Sequence, residues 1–573
     1  MVDLQKLIKG MTLEEKIGQL ICMPIKGIAY ENNDPDFIKI NDAIIKYKIG
    51  GLILFHGDAI IAADLLNKLQ LISKIPLLVS SDVERGVGQI LKGGTEFPTN
   101  MALGATFNKE NAYIQGMITA VEARSVGVHI AYAPVADVNS NPNNPIINTR
   151  SYGEDPEWVS KFVASYVQGI QKNNSIATAK HFPGHGDTED DSHTKLPVLK
   201  ISKEHFDEIE SIPFQRAIEH GVGQIMTAHI AFPEMTNDKI IPSTLSKEII
   251  SHLLKDKLGF EGLIVSDALN MTGVRKDYNE SEASILALEA GVDILLYPES
   301  VEIVIESITQ AVISKRLSES RIEESVLKIL SMKQKLGLFE CKTVDLNNIS
   351  TILKKQEHIE SSLNIARSSI TLITDNKTFV PFSNSKPNKF TALSHTKKCI
   401  PLKANVPFQL IIIDEDNSDN IADTFIYELR KRNNSFKTLF ITPDFINNHI
   451  HRELENMHND NTLIIAIFSK IKAWKERSGI NENFITLINE LLKSHANNIV
   501  ISFGSPYIYN KLNNPDPFIC TYSHSVASQI ACTESLFNEI PMEGILPVSL
   551  KNHPIFPKED LNELKRRMEN GLL

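Results

Sequence analysis

Ser175-Ile176-Ala177-Thr178-Ala179-Lys180-His181-Phe182-Pro183-Gly184-His185-Gly186-Asp187-Thr188-Glu189-Asp190-Asp191-Ser192-His193 passes from a short apolar run into a polar loop. From Lys180 onward, fourteen residues hold three histidines and four carboxylates. The glycines and Pro183 bar this part from a helix or a central strand. Ser175 to Ala179 reads as a buried strand, so the loop starts at a strand's C-terminal end.

The same pattern recurs on both sides. Thr12-Leu13-Glu14-Glu15 has the capping-box spacing of a helix start, and an apolar run near Leu20 follows it. Further apolar runs are Gly51–Phe55, Pro76–Ser80, Val128–Tyr132, Ile176–Ala179, Gln224–Ala228, Gly262–Ser266 and Val292–Leu296. Helix-compatible stretches separate most of them, including 111–126, 158–172, 205–220 and 281–290. Eight continuous apolar strands alternating with amphipathic helices predict an α/β fold with a closed (β/α)8 TIM-like barrel. The polar residues support this. Asp82 and Glu84, Asp137 to Arg150, Lys180-His181, His229 and Asp267 all fall just after strands, where such a barrel builds its active site.

A helical segment within 321–339 closes the barrel, which sets the first domain at 1–340. Polar residues dominate 341–365, the expected linker. A second α/β rhythm, with apolar runs at 369–373, 409–413, 438–441, 462–467 and 498–502, predicts an α/β/α sandwich domain over 366–573.

Composition narrows the function. The 573 residues are 42% hydrophobic and carry a formal net charge of -11, with Lys+Arg 59 against Asp+Glu 70. That balance disfavours nucleic acid and anionic membranes and points to a small molecule. Five scattered cysteines suggest neither a disulfide framework nor a zinc ribbon and fit a reducing compartment. The N-terminal residues lack a signal-peptide apolar core, and no segment reaches about 18 consecutive apolar residues. A soluble, cytoplasmic protein is expected.

Three constellations carry chemistry. Asp267 can be a helix N-cap or a carboxylate nucleophile at the barrel mouth. In Asp191-Ser192-His193 the residues at i and i+2 can face one another, and a carboxylate beside an imidazole fixes its tautomer and stabilises its cation, as proton transfer requires. A solvated polar loop is the plain alternative. His181, His185, Asp187 and His193 are credible metal ligands by type, but no His-Glu-x-x-His or paired-cysteine spacing supports them, so no metal and no cofactor are expected. Asp82, Arg150, Lys180 and His181 would grip sugar hydroxyls through charge-assisted hydrogen bonds.

The segment from Lys180 to His193 resembles the signature loop of the glycoside hydrolase family 3 β-N-acetylglucosaminidases. Ala133-Pro134-Val135-Ala136-Asp137-Val138, Arg150-Ser151-Tyr152-Gly153-Glu154-Asp155-Pro156, Phe260 to Leu269 and Ala290 to Leu295 resemble further family positions, in family order. The resemblance implies a retaining mechanism with Asp267 as nucleophile and His193, held by Asp191, as acid/base in place of a second carboxylate. It also implies that Asp82, Arg150, Lys180 and His181 hold the non-reducing N-acetylglucosamine, that His229 belongs to the pocket, and that the loop carrying His193 is mobile. Where the family often shows an arginine this chain has Ile90, and Arg85 is a candidate substitute. The expected partner is a small N-acetylglucosamine-containing carbohydrate derived from muropeptides or chitin. A phosphorylase, a β-glucosidase and an inactive carbohydrate-binding protein remain alternatives.

Overall fold

The capping box forms as its spacing requires. In this computed structural model Thr12 Oγ1 accepts from the Glu15 amide while Glu15 Oε2 accepts from the Thr12 amide, and helix Leu13–Gln19 leads into the first strand. The structure describes residues 2–374, 402, 406–448, 462–471, 479–495 and 497–553.

Each of the eight apolar runs of the first half becomes a strand: β1 (Ile21–Gly27), β2 (Gly51–Asp58), β3 (Leu78–Ser81), β5 (Ile130–Ala131), β6 (Ile176–Phe182), β7 (Gln224–Thr227), β8 (Leu263–Val265) and β9 (Leu295–Leu296). A two-residue strand, β4 (Leu91–Lys92), adds to the end of β2. The sheet runs β8-β7-β6-β5-β3-β2-β1-β9, with every pairing parallel. A bridge between Val265 and Ile294 brings its two ends together. The strands are buried along nearly their whole length because helices cover the outside, which is why they read as continuous apolar runs.

Register decides what faces the barrel axis. Ser80 pairs with Ile130, Thr178 with Gln224, and Met226 with Val265. Alternation by two along a strand then places Asp82, Lys180 and Asp267 on the axial side, at the C-terminal mouth.

The second half forms a six-stranded sheet: β10 (Thr371–Thr374), β11 (Phe408–Asp414), β12 (Phe436–Ile441), β13 (Thr462–Phe468), β14 (Asn498–Phe503) and β15 (Phe518–Cys520), in the order β10-β15-β14-β13-β11-β12. Among the described residues only the β10–β15 pairing of this sheet is antiparallel. Leu410 and Ile412 pack into one core with Phe425 and Leu429, and Ile411 and Ile413 into another with Phe484 and Ile488. Helices therefore cover both faces, giving the expected α/β/α sandwich.

Part of the segment expected to be a linker is helix Gln356–Ser369. Its buried residues His358, Ser362, Ile365, Ala366 and Ser369 recur at helical spacing, and the polar composition that suggested a linker is its outer face. His358 Nδ1 pairs with Glu122 Oε1 at 2.7 Å, which ties this helix to the barrel.

The sandwich also touches the loop between β5 and β6. Tyr507 Oη accepts from Asn139 Nδ2 at 2.7 Å, and Glu154 accepts from the Ser549 amide at 2.7 Å and its hydroxyl at 2.5 Å.

Candidate active site

The charged residues at the mouth form one connected chain across three strand ends. Lys180 Nζ contacts Asp82 Oδ1 at 2.8 Å and Glu84 Oε1 at 2.7 Å. Arg150 clasps the same Glu84 carboxylate through Nε at 3.0 Å and Nη2 at 2.7 Å. Burial would raise the Glu84 carboxyl, but the Arg150 and Lys180 charges hold it well below the ordinary carboxylate range. The Asp82 side chain is 33% exposed and that of Arg150 23%, so these two present charge to the cleft while Lys180, at 2%, stiffens it from below.

The turn that carries His181 is built on Asp137. Its Oδ1 accepts from the amides of His181 at 3.1 Å and His185 at 2.7 Å, and its Oδ2 accepts from His181 Nδ1 at 2.7 Å. With Nδ1 donating, Nε2 is the acceptor that faces Arg150 Nη2 at 3.4 Å. Glu84 and Asp137 were not singled out as site residues from sequence. Both lie in segments quoted there, and alternation from Asp82 to Glu84 was the signal available for one of them.

His185 turns inward. Its ring nitrogens bond the Thr188 hydroxyl at 2.7 Å and the Ser192 hydroxyl at 3.1 Å, so it shapes the loop from within. Burial lowers its pKa to about 4 despite the neighbouring Asp137. Gly186 packs so closely on the Val138 carbonyl that a β-carbon would collide with it.

Beyond this turn the loop delivers the pair anticipated from its spacing. Asp191 Oδ1 accepts from both the His193 amide at 2.9 Å and His193 Nδ1 at 2.7 Å. The Asp191 side chain is fully buried and that of His193 is 26% exposed. Ser192, between them, accepts through its carbonyl from the Gly273 amide at 3.2 Å. Gly273 lies six residues past Asp267 in sequence, so the loop that bears His193 is docked on the segment that follows Asp267.

Asp267 is not a helix N-cap. The next helix is Thr272–Arg275, with Met271 in the capping position. Asp267 Oδ1 accepts from the Ala268 amide at 2.7 Å, and the Asp267 amide donates to the Thr227 carbonyl. Burial would raise this carboxyl, but His229, His181, His193 and the Ala268 amide together lower it, so it is ionised.

His229 is 0% exposed. Its Nε2 donates to the Ala268 carbonyl at 3.0 Å and its Nδ1 lies 2.9 Å from Thr244 Oγ1, and burial lowers the pKa of the ring against the pull of Asp267. It braces the backbone next to Asp267. Arg85 pairs with Glu96 at 2.9 Å, and Ile90 is buried. Among the described residues no group of three or more His, Cys, Asp or Glu is arranged to hold a metal ion, and no helix is long and apolar enough to cross a membrane.

Residues 12–332 match the glycosyl hydrolase family 3 N-terminal domain. The chain belongs to glycosyl hydrolase family 3. Within that family, a β-N-acetylglucosaminidase/β-glucosidase of Cellulomonas fimi is 31% identical over 65% of this chain and 66% of its own length. Beta-hexosaminidase A of Pseudoalteromonas piscicida is 32% identical over 57% of this chain and 62% of its own. The chain thus spans just under two thirds of these two relatives. A solved family 3 β-N-acetylglucosaminidase from Paenibacillus sp. str. FPU-7 superposes with a TM-score of 0.80 at 28% identity, covering 96% of this chain and 100% of that one. The barrel followed by a sandwich is therefore shared with this family 3 member.

Proposed function

We propose that the protein is a retaining, exo-acting β-N-acetylglucosaminidase. The observation that carries this reading is the Asp191–His193 pair on a loop hydrogen-bonded to Gly273, beside an ionised Asp267. An acid and a nucleophile of opposite charge preference stand at one mouth, as double displacement at an anomeric carbon requires. The activities for which the relatives are named support the sugar class.

Asp82, Arg150 and His181 grip the hydroxyls of the terminal sugar, and Lys180, ion-paired to Asp82 and Glu84 beneath them, serves the same sugar site by keeping this face oriented before substrate arrives. The Asp267 carboxylate then attacks the anomeric carbon. Its C–O bond forms as the glycosidic C–O bond breaks, and the departing oxygen takes a proton from His193. The neutral imidazole next removes a proton from water, whose oxygen displaces Asp267 and releases the sugar with net retention. Asp191, bonded to Nδ1, makes Nε2 the nitrogen that exchanges the proton and stabilises the imidazolium that enters the first step and re-forms in the second. The physiological substrates in this reading are muropeptide- or chitin-derived sugars in the cytoplasm.

The test is a product assay on an aryl β-N-acetylglucosaminide and an aryl β-glucoside, each with and without inorganic phosphate. Free N-acetylglucosamine from the first substrate is expected. A sugar 1-phosphate formed only with phosphate would reassign the acceptor, preference for the glucoside would reassign the sugar, and tight binding without turnover would refute catalysis.

A further inference from the structure

Beneath the turn from His181 to His185 lies a carboxylic acid to which the reaction above gives no task. Glu210 ends the π-helical stretch Phe206–Glu210 that runs into helix Ser211–Glu219. It is 0% exposed, and neither carboxyl oxygen has a hydrogen-bond partner among the described residues. Phe206, Glu210 and Phe214 recur every four residues, which puts the acid on the helix's aromatic face. Both rings pack edge-on against Phe182, at centroid distances of 6.4 and 5.2 Å. The carboxyl points at the backbone of Gly184, where a β-carbon would stand 2.5 Å from Oε2. Gly184 has φ +127, so both its conformation and this close approach exclude a side chain.

The charged groups that face Glu210 are carboxylates. Asp137 reaches it from the loop after β5 and Asp187 from the loop after β6, and burial together with these two raises the Glu210 carboxyl far above its ordinary value. His205, on the turn before the same helix, acts on Asp187 and has its own Nε2 buried without a partner among the described residues. The turn is thus held between an anion in front, Asp137, which binds the His181 and His185 amides, and a second acid behind. Two adjacent buried anions would repel through a medium that screens poorly.

We infer that Glu210 positions the His181–His185 turn as an uncharged acid, and that its ionisation loosens this turn and with it the sugar-gripping face of His181. The consequence for binding rests on the role proposed above for His181. The consequence for folding does not.

The experiment uses the full chain as wild type, Glu210→Gln and Glu210→Ala. Without substrate, Tm is followed from about pH 5 to about pH 9. The unfolded chain releases the Glu210 proton above about pH 4.3 while the native chain keeps it, so stability drains as pH rises. Each pH unit in that window makes the wild-type unfolding constant up to about tenfold larger relative to Glu210→Gln. Wild-type Tm is therefore expected to fall relative to Glu210→Gln, and parallel curves would overturn the inference. On an activated aryl N-acetylglucosaminide, which departs without help from the His193 proton, wild-type KM should begin to rise at the pH where the wild-type Tm deficit stops growing, because there the native acid ionises. Glu210→Ala should be weakened about tenfold or more at every pH, and Glu210→Gln should restore binding and flatten the profile. A Gln variant as impaired as the Ala variant would refute the uncharged role. If Glu210→Gln does not fold, infrared spectra of the wild type decide, because complete absence of a protonated-carboxyl band at neutral pH overturns the inference. Should the wild type turn over no sugar substrate, the proposed function fails, while the Tm and infrared results still stand on their own.

Discussion

Replacing Asp191 by Asn removes the charge and leaves an acceptor for His193. Both hydrogen bonds from His193, amide at 2.9 Å and Nδ1 at 2.7 Å, go to the same oxygen, Oδ1. An Asn in the same rotamer keeps that acceptor, so the loop geometry should survive. What is lost is the charge assistance to Nδ1, in a place where the Asp191 side chain is 0% exposed and solvent cannot replace it. A hydrogen bond to a charged group contributes about 1.5–3 kcal/mol, and at 1.36 kcal/mol per decade that is roughly 10- to 150-fold in rate. The loss should appear only where the imidazolium matters. The assay is kcat/KM for a series of aryl N-acetylglucosaminides of graded leaving-group pKa, with wild type and Asp191→Asn compared. Poor leaving groups should show the full loss and strongly activated ones little, because the latter depart without a proton. An equal loss across the series would refute the reasoning, since it would mean that the dyad orients the sugar or the loop instead of moving a proton.

Substituting Asp267→Ala should lower turnover by roughly 10⁴-fold or more, as for other members of a catalytic unit, and near-wild-type hydrolysis of an activated aryl substrate would eliminate it as nucleophile. Gly273→Ala would bring a β-carbon to 2.9 Å from the Ser192 carbonyl and 3.4 Å from His229 Cβ. We expect kcat/KM to fall about tenfold with Tm little changed, because the loop yields before the barrel does. The His185 pKa, lowered by burial to about 4 from 6.5, has a defined sign. Between these values the unfolded chain binds a proton that the native chain refuses, so stability falls as pH drops through this window, approaching about 3 kcal/mol in total. In denaturation midpoints, His185→Gln should lose that dependence, and an unchanged acid limb would show that His185 is not its source.

The barrel was legible in the sequence because strands buried on both faces leave an unbroken apolar signature, and because Asp82, Lys180 and Asp267 interrupt it at one level. The dyad was legible because Asp191 and His193 are two residues apart. What escaped depends on partners distant in sequence. Glu84 is an ordinary carboxylate until Arg150, from the loop after β5, and Lys180, from β6, close on it. The partners of His229 were hidden because neither Thr244 nor the Ala268 carbonyl announces that it will meet the ring. The residues after 340 looked like a tether because a helix with one narrow buried stripe is mostly polar by composition. Arg85 could not be read either way until Glu96 was seen beside it.

The contacts of Asn139 with Tyr507 and of Glu154 with Ser549 have a practical consequence for engineering. Arg150 rides on a loop fastened by the sandwich on both sides of it in sequence, by Asn139 before it and Glu154 after it. A shortened protein that kept every residue assigned a chemical step would still free that loop, and the loss should register as weaker sugar affinity with its leaving-group dependence intact. The second domain is therefore better regarded as masonry in the wall of the cleft than as luggage behind the barrel, and exchanging it between homologues should retune affinity without touching the order of bond-making.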